Sequence, residues 1–177
     1  MKQIKPYSGN RDPRFVTIRR GRTLKDDDHH LLALWAADCA EHVLRYFIEQ
    51  HPNDDRPRFA IEQARAWAHG KITMTKAREA AYAAHAAARA STSTDAAHEA
   101  ARAAGHAVAT AHMADHELGA AAYAIRAVRA ASPENLRNEV GKAECQWQRE
   151  ILPEAIRDLV ISDQANRNKK LWSLFQC

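Results

Sequence analysis

Histidine is the residue type whose abundance and spacing in this sequence could support chemistry. The 177 residues include ten histidines, of which His85, His106, His112 and His116 lie in an alanine-rich stretch. His112 and His116 are four residues apart, a spacing that places two imidazoles on one helix face and suits a metal ion. Asp115 is a natural helix cap, so we expect a helix boundary between them, and the Glu-x-x-His pattern of di-iron bundles is absent from the sequence. We therefore expect hydrogen-bonded or exposed imidazoles and no metal, with a polar ligand or partner site as the alternative.

A polar stripe on the first predicted helix is the second candidate. Its members recur every three or four residues and share one helix face: Asp38, His42, Arg45 and Glu49. Asp38 and His42 could form an oriented acid–base pair, although a solvated charged face is the simpler interpretation. The sequence contains no Gly-x-Ser-x-Gly elbow, phosphate loop or Cys-x-x-Cys motif. We therefore expect no catalytic residues, no cofactor and no enzyme.

Charge is distributed unevenly along the chain, whose formal net charge is +4. Residues 1–25 contain eight Lys or Arg and one Asp, whereas residues 26–55 contain one Arg and eight Asp or Glu. A basic arm followed by an acidic helix can fold back and neutralise itself, which is the interpretation we favour. Binding of nucleic acid by the arm is the alternative, but no basic patch interleaved with aromatic residues supports it in the sequence.

The elements that must position these residues are predicted to be helices. Residues 1–24 contain Gly9, Pro13 and Gly21 and are expected to form an irregular N-terminal arm with one short edge strand at 15–18. Residues 25–177 are expected to share a single core. Capping residues, prolines and glycines predict helices at about 26–50, 55–70, 73–90, 95–113, 115–131 and from 132 to a break at Pro153, followed by a final short helix. The predicted fold is all-α, a single-domain helical bundle of about six or seven helices.

Alanine dominates the predicted packing, since it fills 25 of the 52 positions between 80 and 131. Its small side chain allows helices to approach closely, and we expect Gly105 and Gly119 at such crossings. Much of the buried area must come from a few larger side chains, which we expect to be Trp35, Ile61, Trp67, Tyr82 and Tyr123. The segment 171–175 is a further candidate for docking.

Compartment and partners can be inferred only broadly from the sequence. No run of 18 uncharged apolar residues occurs, and the first residues lack the apolar region of a signal peptide. The three cysteines, Cys39, Cys145 and Cys177, are too few and too scattered for a disulfide framework. We therefore expect a cytoplasmic protein without a membrane partner.

Several phrases of the sequence carry a family resemblance. They include Val16-Thr-Ile-Arg-Arg-Gly21, Leu34-Trp-Ala-Ala-Asp-Cys-Ala-Glu-His-Val-Leu44, Asp54-Asp-Arg-Pro-Arg58 and Ala103-Ala-Gly-His-Ala-Val-Ala-Thr-Ala-His112. Over residues 15–160 the chain resembles the bacterial family of immunity proteins from polymorphic toxin systems, the immunity-family-five-like group. The Trp-Ala-Ala-Asp-Cys and Ala-Thr-Ala-His phrases are the more specific parts.

The resemblance implies an all-helical cytoplasmic protein that binds and neutralises a cognate protein toxin, and it supplies no catalytic residues. The candidate partner- or ligand-binding residues are Asp38, His42, Arg45, Glu49, His85, His106, His112, His116 and Trp172. Two alternatives stay open: a small-ligand- or metal-binding helical protein or enzyme that uses the histidines and Asp38, and a nucleic-acid-associated protein. A homo-oligomer is also left open.

Overall fold

The fold is built entirely from helices and turns in the part of the chain that the computed structural model describes, residues 7–91 and 95–177. Within those residues there are eight α-helices, slightly more than the six or seven expected. They are α1 (Asp26–Val43), α2 (Arg45–Gln50), α3 (Arg56–Ala68), α4 (Met74–Ala90), α5 (Ala96–Ala109), α6 (Glu117–Ala130), α7 (Arg137–Glu150) and α8 (Glu154–Arg167). Short 3₁₀ turns precede or follow several of them. The predicted loop at 91–94 lies mostly outside the described residues.

Side-chain capping marks the start of two helices, α4 and α5. The Thr73 side chain accepts a hydrogen bond from the amide of Lys76 at 3.4 Å, and Asp95 accepts one from the amide of His98 at 2.6 Å. Two predicted helices were too long. The first is interrupted at Leu44, which separates α1 from α2, and α5 ends at Ala109 rather than near residue 113.

Helix α5 lies at the centre of the bundle. It packs against α1, α2, α3, α4 and α6, and eleven of its fourteen residues are buried. Nearly all of these buried residues are alanine or glycine, so the neighbouring backbones approach closely. The described residues form one contiguous hydrophobic core.

The larger side chains follow the predicted burial only in part. Trp35 and Ile61 are fully buried, and the Trp35 indole donates a hydrogen bond to the Gln148 carbonyl at 2.8 Å. Trp67 and Tyr123 are only partly buried. The prediction for Tyr82 was wrong, because 62% of its surface is exposed. Helices that meet through alanine leave no room for a ring between them, so the ring stays at the rim.

The N-terminal arm forms 3₁₀ turns at Pro13–Phe15 and Ile18–Arg20 rather than the predicted edge strand. A single bridge between Thr17 and Leu24 is the only β-type pairing in the described residues. Phe15 anchors the arm in the core with 2% of its surface exposed. The arm is therefore ordered without belonging to a sheet.

Three of the five basic residues described in the arm form ion pairs within the chain, and two of these pairs lie outside the acidic segment 26–55. Arg11 pairs with Asp115 at 2.6 Å, and Arg14 pairs with Asp12 at 2.7 Å. Among the arm residues that the structure describes, Arg19 alone pairs with the acidic segment, through Asp26. Fold-back onto the acidic helix is thus a minor part of the pairing.

The cysteines differ from expectation. Cys145 on α7 and Cys177 are joined by a disulfide that closes a separation of 32 residues, so two scattered cysteines meet in space. Cys39 is free and buried, and burial raises the pKa of its thiol well above the ordinary value. Among the described residues, no helix combines the length and apolarity needed to cross a bilayer.

Candidate functional site

The structure brings the four candidate histidines of the alanine-rich half together as one histidine cluster, composed of His85, His106, His112 and His116. The Nδ1 atoms of His106 and His116 lie 3.0 Å apart, close enough for one imidazole to donate to the other. Ring centroids are 5.2 Å apart for His85 and His106, and 5.2 Å apart for His112 and His116. Helix α4 supplies the first histidine, α5 the second, and the 3₁₀ turn before α6 the last.

Two glycines make room for this cluster. A Cβ atom on Gly105 would lie 2.5 Å from Nδ1 of His85, and one on Gly119 would lie 2.5 Å from Nδ1 of His106. Real Cβ atoms essentially never approach other atoms so closely. Each imidazole therefore occupies the space that a side chain on the facing helix would fill, which explains the glycines expected at close crossings.

The imidazoles of the cluster are held neutral. Burial, together with nearby positive charge from Arg102, lowers the pKa of His85 to about 4. Burial likewise lowers the pKa of His116 to about 4 and the pKa of His106 well below its ordinary value. Arg102 Nη1 lies 3.2 Å from His85 Nδ1, a contact in which a neutral imidazole accepts the hydrogen bond.

The cluster is poorly suited to a metal ion. No group of three or more His, Cys, Asp or Glu side chains in the described part of the chain has a geometry that could hold one. Arg102 and Arg167 also lower the pKa of His106, so the local field opposes a cation. Nε2 of His106 and Nδ1 of His112 are buried and find no hydrogen-bond partner among the described residues.

Tyr123 connects the histidine cluster to the surface. Its ring stacks on His106 with a centroid separation of 5.1 Å and meets the Trp172 ring edge-on at 5.4 Å. Trp172 is 49% exposed. The last of the candidate residues therefore lies next to the histidine cluster, although the two are far apart in sequence.

Beyond Trp172 lies a cavity of about 460 Å³ that we call the arginine pocket. Its lining residues come from α5, α6, α7 and the C-terminal segment: Glu99, Arg126, Arg129, Ala130, Arg137, Trp172 and Leu174. Arg126 stacks over the Trp172 ring at 4.2 Å from its centroid. It also pairs in bidentate fashion with the buried Glu99, at 2.7 and 2.9 Å.

The segment that carries Trp172 is firmly attached. The predicted docking of segment 171–175 is confirmed in part, because Leu174 and Phe175 are buried whereas Trp172 is half exposed. The Asn168 side chain accepts a hydrogen bond from the Phe175 amide at 3.0 Å. The Cys145–Cys177 disulfide ties the same segment to α7. Trp172 and Ser173 adopt the left-handed backbone conformation, with φ of 57° and 55°. Residues other than glycine rarely adopt this backbone conformation. The buried side chains, the Asn168 hydrogen bond and the disulfide therefore hold a strained turn in place.

The other candidates line the exposed face of α1 and α2. His42 stacks on Trp147 of α7 with a centroid separation of 3.7 Å, and its Nδ1 lies 2.9 Å from Oε2 of the buried Glu144. Burial raises the pKa of Glu144, and the neighbouring His42 opposes the shift. Shallow depressions of about 330 and 390 Å³ flank the stacked pair.

Asp38 and His42 do not form an acid–base pair, because each has another partner. Arg65 of α3 donates to Asp38 at 2.7 Å and to Glu41 at 2.6 Å, so Asp38 is paired with a guanidinium group and not with His42. Arg45 is exposed and lies over the Tyr46 ring, and Glu49 is exposed. The pairing of Asp38 with His42 is therefore absent, and His42 is hydrogen-bonded to Glu144 instead.

The arginine pocket is the feature that sequence reasoning missed. Arg126 and Arg129 share one face of α6 at a spacing of three residues, which the sequence could have indicated. Arg137, Trp172 and the disulfide join them only through tertiary packing.

A family model described as Imm-5 like putative immunity protein matches residues 22–155 of the chain. The match covers well over half of the chain, which therefore belongs to this family. No curated protein and no solved structure matches the chain. The matched residues include the α1 face, the histidine cluster and the arginines of the pocket, whereas Trp172 lies beyond them.

Proposed function

We propose that this protein is a stoichiometric immunity protein, which binds one cognate toxin protein and blocks it by occlusion. Membership of the immunity family over residues 22–155 is the observation that carries the proposal. The proposal places the protein in the cytoplasm of the cell that makes it, where it would meet the toxin.

The arrangement of polar groups supports binding rather than catalysis. The four histidines of the cluster are largely enclosed. Burial holds His85, His106 and His116 neutral. His42 is engaged with Glu144 and Trp147, and Cys39 is buried with a raised pKa. A close-packed bundle with aromatic residues at its rim provides the rigid surface that tight protein binding requires.

Titration of the toxin encoded by the neighbouring gene tests this proposal. The toxin's activity should fall linearly with added protein and reach its minimum at one-to-one stoichiometry, and light scattering should show a complex of the summed mass. Full protection at strongly substoichiometric protein would contradict occlusion and favour an enzyme. The absence of both binding and protection would contradict the immunity role itself.

A further inference from the structure

We propose that the arginine pocket is the toxin-contact site and that it receives acidic side chains of the toxin, with Trp172 as the anchor beside them. This inference rests on the proposed function and adds the surface and the chemistry of the partner. It concerns Arg129, Arg137 and Trp172 in particular.

The charge balance of the pocket is the first argument. Glu99 is its one acidic lining residue, and both of its oxygens are used by Arg126. Arg129 and Arg137 form no ion pair with any carboxylate in the described part of the chain. Lys142 lines a smaller adjoining depression of about 130 Å³, which it shares with Arg129. The pocket therefore presents uncompensated positive charge.

The second argument is that the pocket is preorganised, because parts of it are fixed before a partner binds. Arg126 is fixed between Glu99 and the Trp172 ring, and the disulfide and buried Phe175 hold the left-handed turn at Trp172. A side chain fixed in advance loses little conformational freedom on binding. Tryptophan and arginine are also the residue types that most often dominate the binding energy of protein interfaces.

The third argument concerns the occupant. A guanidinium group pairs in bidentate fashion with a carboxylate, as Arg126 and Glu99 already do within this pocket. Ala130, Leu174 and Trp172 provide apolar wall between the charges, which suits side chains of a folded protein. A nucleic acid strand would instead need a continuous row of cations along its backbone, whereas the unpaired guanidinium groups here meet at one pocket.

Charge reversal tests the inference. The Arg129→Glu/Arg137→Glu variant should bind the neighbouring-gene toxin about a hundredfold more weakly by calorimetry. The matched control is Arg58→Glu/Lys76→Glu, which makes the same charge change at exposed positions in the first turns of α3 and α4, where acids suit the helix dipole. This control should keep its affinity within about threefold, since such exposed charges mainly affect association rates. Circular dichroism should show equal helix content for all three proteins, and the milder Arg129→Gln/Arg137→Gln variant repeats the test if the first is unstable.

The outcomes separate the inference from the proposed function. Toxin binding that is tight for the wild type and unchanged in the pocket variant would overturn the inference and leave the immunity role standing. No binding by the wild type would overturn both. Hexaglutamate and a six-residue oligothymidylate provide toxin-independent probes. Loss of hexaglutamate binding in the pocket variant supports the inference, whereas tighter binding of the oligothymidylate, lost in the same variant, would overturn it in favour of a nucleic acid.

Discussion

The histidine cluster and the arginine pocket lie on opposite sides of Tyr123, and they treat polar side chains in opposite ways. In the cluster, burial keeps the imidazoles neutral, and glycines on the facing helices leave space for the rings. In the pocket, the guanidinium groups face an open cavity of about 460 Å³. Histidines attract attention in a sequence, yet here they are part of the packing, and the accessible chemistry belongs to arginines. The contrast shows that a polar residue is available for contact because of its exposure and not because of its rarity in the sequence.

A decrease in pH should produce the largest difference in response between the histidine cluster and the arginine pocket. The ordinary pKa of histidine is near 6.5. Burial lowers the pKa of His85 and of His116 to about 4, and it lowers the pKa of His106 well below the ordinary value. Between these values the unfolded chain binds more protons, so the free energy of unfolding should decrease as the pH falls from 6.5 towards 4. Each imidazole adds a slope of up to about 1.4 kcal/mol per pH unit. Urea unfolding at pH 7, 6 and 5 measures this slope.

A matched variant isolates the cluster's share of this pH dependence. His85→Gln should reduce the pH dependence of the free energy of unfolding by the contribution of one imidazole. The raised pKa of Glu117 acts in the opposite direction, but it does so in both proteins and does not affect the comparison. Hexaglutamate binding at the arginine pocket should stay constant from pH 7 to 5.5, because arginine does not titrate there. Equal slopes for the wild type and the variant would contradict the assignment of acid sensitivity to the cluster.

Breaking the disulfide should affect the pocket region more than the cluster. Cys177→Ser should lower the free energy of unfolding by about 3 kcal/mol, because the bond restricts a long loop in the unfolded chain. Hydrogen exchange should show larger loss of protection at the Phe175 amide than at the amides of α5. Dithiothreitol should reproduce both effects in the wild type and add nothing in the variant. Equal loss of protection in both regions would show that the tail and the core open together.

Substitution of helical glycines compares the regions with a single change. Gly105→Ala and Gly119→Ala should each destabilise the fold by about 1–3 kcal/mol, because the new Cβ meets an imidazole that cannot move away. Gly141→Ala should be neutral or stabilising by up to about 1 kcal/mol. Its Cβ would press on the flexible methylene groups of Arg129 at 3.1 and 3.2 Å and make an ordinary contact with Ile125 at 3.5 Å. Urea midpoints give the comparison.

A double-mutant cycle sharpens the glycine comparison. In a His85→Ala background, Gly105→Ala should cost much less than in the wild type, because the ring it clashes with is gone. If the cost is the same in both backgrounds, the imidazole is not what the glycine accommodates.

The sequence was sufficient for the elements that depend on local chemistry. Thr73 and Asp95 cap helices where expected, and the helical spacing of the apolar residues placed Trp35 in the core. It misplaced Tyr82, because periodicity identifies a helix face but not whether a neighbour leaves room for a ring. It placed His85 and His106 on two different helices and left open whether their rings meet. Whether two such side chains meet depends on how the helices are arranged in three dimensions.

The candidate site could be predicted less well than the fold for the same reason. Arg129 and Trp172 are 43 positions apart in the numbering and meet because the C-terminal segment turns back along α7. The Cys145–Cys177 bond depends on the same turn. The polar stripe at Asp38 was correctly placed on the exposed surface, but its neutralising partner, Arg65, comes from another helix.

The glycine–histidine contacts of the histidine cluster also have a consequence for helix register. Alanine-covered helices are nearly smooth, so sliding one of them along another by a full turn would cost little packing energy by itself. A one-turn slip of α5 would bring Ala101 or Ala109 under the ring of His85, where a methyl group has no room. His106 and Gly119 impose the same condition between α5 and α6. Two rings seated in two gaps thus select one alignment among several that the alanines alone would accept, and they supply the uniqueness that a uniform core lacks.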